Sequence, residues 1–291
     1  MKVRSPKTAR AAYMQRLILN RLNHKIAAQN IDVYPQLAIF AFDNIGLTIN
    51  IEGRYERDSL NALEHFLSQV LGVKTDAMAI DIGANIGNHS IFFGSIFSKV
   101  VAYEPNPATF SLLQHNCARS NITPRNYGLS SKKSMLAFRI DRGNIGASHI
   151  IDSSAAESDQ EGTINIEVKR LDDEEIIANQ PISLVKIDVE GHELDVLRGA
   201  VSTIDSARPV IVFEQGEEEI RDGTSAAIDF LRNKGYGFYT IENNFYLGRR
   251  LGARQLSFFL RILFGFRKIV RRTNFFEKRF YDMIIAVPDV A

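Results

Sequence analysis

The sequence predicts an α/β fold, in which a mostly parallel sheet of seven strands has helices on both faces and is closed by an antiparallel strand. From residue 76 onward, short apolar runs alternate with helical stretches, which is typical of strands joined by crossover helices. The last apolar run is expected to pair with the strand before it and close the sheet. The seven expected strands are residues 78–82, 100–103, 125–129, 184–187, 210–213, 238–241 and 282–287.

The first 75 residues are expected to form an extension built from helices and a hairpin. Apolar residues at helical spacing predict a helix within residues 1–31, and loose alternation predicts two short strands over residues 38–51. Asp58 can cap a helix that runs to Leu71.

Residues 76–291 are expected to form the main domain, which carries two irregular segments. The stretch 141–162 is rich in Ser, Asp and Gly and predicts a loop. Residues 243–279 form a basic, aromatic insert between the last two strands.

Charge is distributed unevenly along this 291-residue chain. Residues 1–31 hold seven Lys or Arg and residues 249–272 hold eight, with no acid in either segment, so 20 basic and all 34 acidic residues lie elsewhere. An acidic body of this kind argues against a nucleic-acid-binding protein. The single cysteine, Cys117, excludes an internal disulfide and fits a reducing compartment, so a cytoplasmic location is expected.

The run of residues 79–90 carries the clearest chemical signal. An apolar strand ends at Asp81, and a glycine-rich turn leads into a helix whose N–H groups can face a ligand. Gly83 and Gly87 have the spacing G-x-x-x-G, and Asn85 stands where a dinucleotide site needs a glycine open to a pyrophosphate. The pattern favours a nucleoside ligand over a pyrophosphate. The alternative is a βαβ unit whose glycines serve only close packing.

Glu104 ends the next strand, 21 residues beyond Gly83. A carboxylate at this point can accept hydrogen bonds from both ribose hydroxyls. Together with the turn after Asp81, it resembles the adenosine half-site of class I S-adenosylmethionine-dependent methyltransferases. This resemblance implies a Rossmann-like fold.

A second acidic motif follows the strand at residues 184–187. Asp188 lies at a strand's carboxyl end, on the edge where open α/β sheets bind ligands, and Glu190 and His192 come directly after it. The high density of acids favours a functional site, whereas Glu193 fits a solvated helix start. For His192, a role as ligand or base and a place on an ordinary surface are equally open.

Four segments together resemble the FkbM family of methyltransferases, in order and in spacing: residues 80–87, 103–107, 187–193 and 212–214. The upstream Arg54-Tyr55-Glu56 is also similar to a family element. Members of this family are mainly O-methyltransferases that act on hydroxyls of polyketides, sugars and glycolipids, and the same activity is expected here.

The resemblance implies S-adenosylmethionine as cofactor and an acid-rich reacting edge. Asp81 is expected to hold the methionine ammonium, directly or through water, and Glu104 the ribose. His192 or Asp188 is the expected base, and Glu214 is expected to bind an acceptor hydroxyl. Clustered carboxylates are a weak metal signal, so no metal is expected. The expected cofactor-binding residues are Asp81, Gly83, Ala84, Asn85, Gly87, Glu104, Asn106 and Glu56, and the expected catalytic residues are Asp188, His192, Glu190 and Glu214.

Two rival functions and several partners stay open. A nicotinamide-dependent enzyme is disfavoured by Asn85, and a non-catalytic scaffold is disfavoured by the intact acids. The acceptor is a small molecule, a glycan or a lipid-linked compound, and the N-terminal helix is a candidate element of a homodimer. Residues 256–272 mix aromatic and basic side chains, which fits peripheral membrane contact by an interfacial helix, a lid over an anionic acceptor, or a helix packed on the sheet.

Overall fold

The computed structural model divides the chain into two compact units, one that ends at Arg57 and one that begins at Asp58. The residues described are 10–118, 121–141, 145–151, 162–245 and 251–289.

The first unit contains helices α1 (Arg10–Asn30) and α2 (Asn44–Glu52). The predicted N-terminal helix is confirmed, and none of its residues is buried. The predicted hairpin over residues 38–51 is wrong, because α2 occupies most of that segment. Asp43 caps this helix by accepting a hydrogen bond from the Ile45 N–H at 3.1 Å. Ile45 and Ile49, one turn apart, supply its buried side.

The second unit contains the predicted alternation of strands and helices. No helix among the described residues is long and apolar enough to cross a membrane. The helices are α3 (Arg57–His65, continued by a π-helical turn over Phe66–Val70), α4 (Asn88–Gly94), α5 (Pro107–Asn116), α6 (Glu193–Arg198), α7 (Val201–Ala207), α8 (Ala226–Asn233) and α9 (Leu251–Phe264). The strands are β1 (Met78–Ile82), β2 (Lys99–Tyr103), β3 (Ile122–Arg125), β4 (Gly128–Leu129), β5 (Ser134–Arg139), β6 (His149–Ile151), β7 (Thr163–Lys169), β8 (Ile182–Ile187), β9 (Val210–Gln215), β10 (Tyr236–Asn243), β11 (Lys268–Thr273) and β12 (Tyr281–Pro288).

The main sheet has the strand order β11-β10-β12-β9-β8-β1-β2-β3. Strands β3, β2, β1, β8 and β9 are parallel, and β12 is antiparallel between β9 and β10, as predicted for the closing strand. The α/β fold class is therefore confirmed. The sheet has eight strands rather than seven, because β11 adds an antiparallel edge beside β10.

Strand β11 also corrects the helix predicted over residues 256–272. Helix α9 ends at Phe264, and the next residue, Gly265, has φ of 83°, a left-handed conformation that stops a helix. Ile269 and Val270 then pair with β10, which suits their β-branched side chains.

The core lies on both faces of the main sheet because residues alternate between its two sides. Along β1, Ile80 and Ile82 face the cluster that includes α6, α7 and α8, whereas Ala79 faces the cluster of α3, α4 and α5. Cys117, expected to serve packing, is buried in the second cluster. Asp81 is on the same side of the strand as Ala79, so its carboxylate is held at the base of α4.

A second sheet, ordered β4-β7-β5-β6, comes from the segment between β3 and β8. A loop was predicted over residues 141–162, but residues 149–151 of this stretch form strand β6. The prediction is therefore wrong at those three residues. Backbone pairing with β5 fixes β6 in place. Residues 142–144 and 152–161 of the predicted loop lie outside the described residues.

Candidate active site

The glycine-rich turn between β1 and α4 brings two sequence motifs together. Gly83 has φ of 79°, and a Cβ at this position would collide with the carbonyl oxygen of Asp188. Asn85 has φ of 50°, and its Oδ1 accepts a hydrogen bond from the Ile86 N–H at 2.8 Å. Gly87, with φ of 92°, begins α4. Because Gly83 lacks a side chain, the ends of β1 and β8 approach closely enough to share one site.

Glu104, at the end of β2, ties this turn to the next loop. Its Oε2 accepts from the Asn85 N–H at 3.0 Å, and its Oε1 accepts from the Asn106 N–H at 2.8 Å. Burial raises the pKa of Glu104 to about 7, although these two N–H groups act to lower it. Each carboxylate oxygen can accept two hydrogen bonds. One acceptor position on each oxygen therefore remains for a ligand.

Asp81 and Asp188 are joined by a buried lysine that the sequence analysis did not identify. Ser90 Oγ donates to Asp81 Oδ2 at 2.6 Å, and the Lys186 Nζ lies 3.9 Å from Asp81 Oδ1 and 2.8 Å from Asp188 Oδ2. Asp81 Oδ1 has no hydrogen-bond partner among the described residues. The Lys186 ammonium thus stands between the two carboxylates, which lowers the cost of burying both charges.

Three carboxyl groups meet at the ends of β8 and β9. One oxygen each from Asp188, Glu190 and Glu214 lies within 4.8 Å of the others, and a side-chain hydrogen bond joins Asp188 to Glu214. A hydrogen bond between two carboxyl groups requires a shared proton. Burial acts to raise the pKa of Asp188, but Lys186, His89 and the Glu214 hydrogen bond together hold that pKa below its usual value. Asp188 is therefore the ionised member of this pair.

Glu190 lies at the exposed rim of the same cluster. Its φ of 51° and the φ of 92° at Gly191 turn the chain sharply after β8. Partial burial, and then the negative charge of Asp188, raise the pKa of Glu190 to about 7, while His149 acts to lower it. His149 begins β6, so the second sheet contributes a titratable side chain to this side of the site.

His192 is not brought into the carboxyl cluster. Its Nε2 is 2.8 Å from Ser130 Oγ, and its Nδ1 is 3.9 Å from Asp195 Oδ2. Burial lowers the pKa of His192, and Asp195 opposes this change. Asp195 also accepts from Ser131 Oγ at 2.9 Å, so these contacts connect α6 to the loop after β4. Both ring nitrogens thus face this connection, and the catalytic role of His192 stays a prediction.

Glu193 is buried rather than solvated, which corrects its assignment to an exposed helix start. Its Oε1 accepts from the N–H groups of Val189 and Gly191 at 3.4 and 3.2 Å. Burial, and then the charge of Glu219, raise the pKa of Glu193 to about 8. Glu193 therefore fixes the loop that carries Glu190.

The remaining predicted cofactor residues have clear local roles. The Ala84 N–H donates to the Tyr103 carbonyl oxygen at 2.9 Å, which joins the turn to the end of β2. Asn106 caps α5, with its Oδ1 accepting from the Ala108 N–H at 3.1 Å. Glu56 lies in the first unit, with φ of 54°, whereas the other predicted site residues lie in the second.

Some of the residues around the site were not predicted. Lys186 could have been identified from the sequence. It is the only charged residue of β8, and it lies two positions before Asp188, so both side chains are on the same face. His89 and Ser90 lie at the start of α4, inside the run of residues 79–90, but were not singled out as site residues. His149 carried no signal, since its approach to the site depends on tertiary structure.

The sequence profile described as the methyltransferase FkbM domain matches residues 81–238. The hexuronic acid methyltransferase AglP of Haloferax volcanii is 31% identical over 180 residues, which cover 60% of this chain and 71% of AglP. Methyltransferase 1 of Beauveria bassiana is 30% identical over 148 residues, 43% of this chain and 58% of that protein.

A solved FkbM methyltransferase from Methylobacillus flagellatus is 20% identical, with a TM-score of 0.37 over 69% of this chain and 49% of that one. A TM-score this low supports no inference. The profile match covers more than half of the sequence and includes the end of β1 from Asp81, the glycine-rich turn, β2, β8 and β9. The chain belongs to the FkbM family of methyltransferases.

Proposed function

We propose that this methyltransferase uses S-adenosylmethionine and transfers the methyl group to a hydroxyl of a sugar. The carrying observation is the arrangement of acids along one sheet edge, with Glu104 at the end of β2 and Asp188 and Glu214 at the ends of β8 and β9. The glycine-rich turn lies between them. A sugar acceptor is favoured because AglP, the 31% identical relative, is named a hexuronic acid methyltransferase.

The residues of the first half-site fit a nucleoside cofactor. Glu104 retains one acceptor position on each oxygen, which suits the two hydroxyls of a ribose. Asp81 has no exposed surface, so it favours an ammonium group through its charge rather than through direct contact. Asp81 Oδ1 accepts no hydrogen bond from the described residues, and its ion-pair partner, Lys186 Nζ, lies 3.9 Å away.

When bound, S-adenosylmethionine supplies a methyl group on a sulfonium, which is already activated for displacement. The chain must therefore orient an acceptor oxygen and take up its proton. Asp188, ionised beside Lys186, is suited to hold the acceptor hydroxyl. Glu190, whose pKa is raised to about 7, is better matched than Asp188 to accept the proton near neutral pH. This assignment places the base at Glu190 rather than at His192.

Calorimetric titration with S-adenosylhomocysteine, repeated with NADH, tests the cofactor. The wild type should bind S-adenosylhomocysteine and not NADH. Glu104→Gln keeps the side-chain volume but replaces one carboxylate oxygen by a donor, and should weaken binding by about tenfold to a hundredfold. Folded wild-type protein that fails to bind S-adenosylhomocysteine would contradict the proposal.

Transfer of a labelled methyl group to a uronic acid glycoside tests the base. Glu190→Gln should lower kcat by about a hundredfold or more and remove the titration near neutral pH, with little change in cofactor affinity. His192→Gln serves as the comparison, because it keeps a polar side chain toward Ser130. A larger loss of kcat in His192→Gln than in Glu190→Gln would contradict this assignment and indicate that His192 is the base.

A further inference from the structure

We propose that α9 docks this protein on an anionic phospholipid surface. The apolar side of α9 faces solvent. Six of its large apolar side chains are between 51% and 72% exposed: Leu256, Phe258, Phe259, Ile262, Leu263 and Phe264. A contiguous exposed apolar patch of this kind is typical of a surface that binds a partner protein or a membrane.

Two polar residues of α9 are less exposed than these six apolar side chains. Ser257 is buried at 3% exposure. Arg261, one turn later and partly buried, donates from Nε to the Ser257 carbonyl oxygen at 3.1 Å. The six apolar side chains are each more than half exposed, so they contribute little to the core of the second unit.

Basic residues lie on α9 and in the segment that directly follows it. Residues 256–272 contain five Lys or Arg and no acid. Lys268 and Arg271 reach Asp282 and Glu242 only at 3.7 Å, and Arg267 and Arg272 make no ion pair among the residues described. Aromatic and aliphatic groups beside cations match the two layers of a membrane interface, where apolar groups enter the acyl boundary and cations meet headgroup phosphates.

Charge also favours a lipid surface over a second copy of this chain. A two-fold contact through α9 would place the same cations opposite each other, which costs free energy. An anionic bilayer instead neutralises them. The acidic residues, all outside residues 249–272 and 1–31, would be repelled from the same bilayer, so the protein should approach with α9 foremost.

Flotation of the full-length protein with phospholipid vesicles tests the docking surface. Vesicles of phosphatidylcholine mixed with phosphatidylglycerol should bind the wild type, and vesicles of phosphatidylcholine alone should bind it much less. The double variant Phe259→Ser/Ile262→Ser should lose about a hundredfold in partition to the anionic vesicles. Val70→Ser is the matched control, because Val70 is 62% exposed in the second unit but lies outside α9, and should bind as the wild type does.

A second pair of variants tests the electrostatic part. Arg267→Gln/Arg272→Gln should weaken binding to anionic vesicles and reduce its dependence on salt, because both arginines belong to the acid-free basic segment that includes α9 and β11. Circular dichroism checks that each variant is folded.

Three outcomes would overturn the docking proposal. The first is a wild type that does not float with anionic vesicles. The second is equal flotation of the wild type and the Phe259→Ser/Ile262→Ser variant, which would move binding to another surface such as the exposed apolar residues of α1. The third is a lipid-free dimer that the same variant dissociates, which would make α9 a contact between copies. None of these outcomes depends on the proposed methyl transfer.

Discussion

Glu193→Gln should make the protein more stable at alkaline pH than the wild type. In the fold, burial and the charge of Glu219 raise the pKa of Glu193 to about 8 from its ordinary 4.5. At pH values between these two pKa values, Glu193 keeps its proton in the folded chain but has released it in the unfolded chain. The free energy of unfolding therefore falls as the pH rises through this interval. Glutamine keeps the oxygen that accepts from Val189 and Gly191 but cannot ionise.

The size of this effect follows from the two pKa values. Ionisation of Glu193 favours the unfolded chain by about 1 kcal/mol near pH 5 and by about 4 kcal/mol near pH 8, if the full shift applies. The stability difference between Glu193→Gln and the wild type should therefore grow by about 3 kcal/mol over that range. For a unit of this size, the thermal midpoint of the variant should rise relative to the wild type by about 6 to 12 °C.

Urea denaturation followed by circular dichroism, at pH values near 5 and 8, measures this difference directly. Other titrating groups are common to both proteins, so they cancel in the comparison. Glu218→Gln is the control, because the Glu218 side chain is 91% exposed, and its stability difference from the wild type should not change with pH. Parallel pH–stability curves for Glu193→Gln and the wild type would refute the reasoning.

Three further substitutions test the architecture. Gly83→Ala should destabilise the protein by about 3 kcal/mol, because the new Cβ meets the Asp188 carbonyl oxygen at a left-handed φ, and a denaturation midpoint near that of the wild type would contradict this. Lys186→Met should raise the pKa values of Asp188 and Glu190, which the ammonium acts to lower, and so shift the acidic limb of the pH–rate profile upward, whereas an unchanged limb would show that the ammonium does not influence it. Asp43→Ala should destabilise α2 by about 1 kcal/mol, measured by thermal melting, while Asp43→Asn, which keeps the cap, should melt as the wild type does.

The sheet and the position of the site could be predicted because both depend on local patterns. Short apolar runs between helices identify parallel strands, and the carboxyl ends of such strands meet at one edge. The sequence positions of Asp81, Glu104 and Asp188 at strand ends therefore predicted their shared edge. Gly83 was identified as a turn residue, but its close approach to the Asp188 carbonyl oxygen needed the structure.

The errors arose where one local pattern fits two structures. An Asp before a short apolar run fits the start of a helix as well as a hairpin turn, so Asp43 did not distinguish the two. In the structure the segment is a helix that buries Ile45 and Ile49, which are four residues apart. The basic and aromatic segment after Ser257 was predicted to be one helix. Its second half instead forms β11, because it pairs with strand β10. The surroundings of His192 were beyond reach, because the hydroxyl that contacts its ring belongs to Ser130, 62 residues earlier in the chain.

The protonation states in the site follow from a shortage of positive charge. One oxygen each from Asp188, Glu190 and Glu214 lies within 4.8 Å of the others, and the buried Lys186 ammonium contacts Asp188 at 2.8 Å. This contact, with His89 and the hydrogen bond to Glu214, holds the pKa of Asp188 below its usual value. Glu190 is left at the rim with a pKa of about 7. Glu104, in the proposed cofactor site, also has a pKa of about 7. The proposed pH dependence should therefore divide in two: titration of Glu190 should change kcat, and titration of Glu104 should change the affinity for the cofactor.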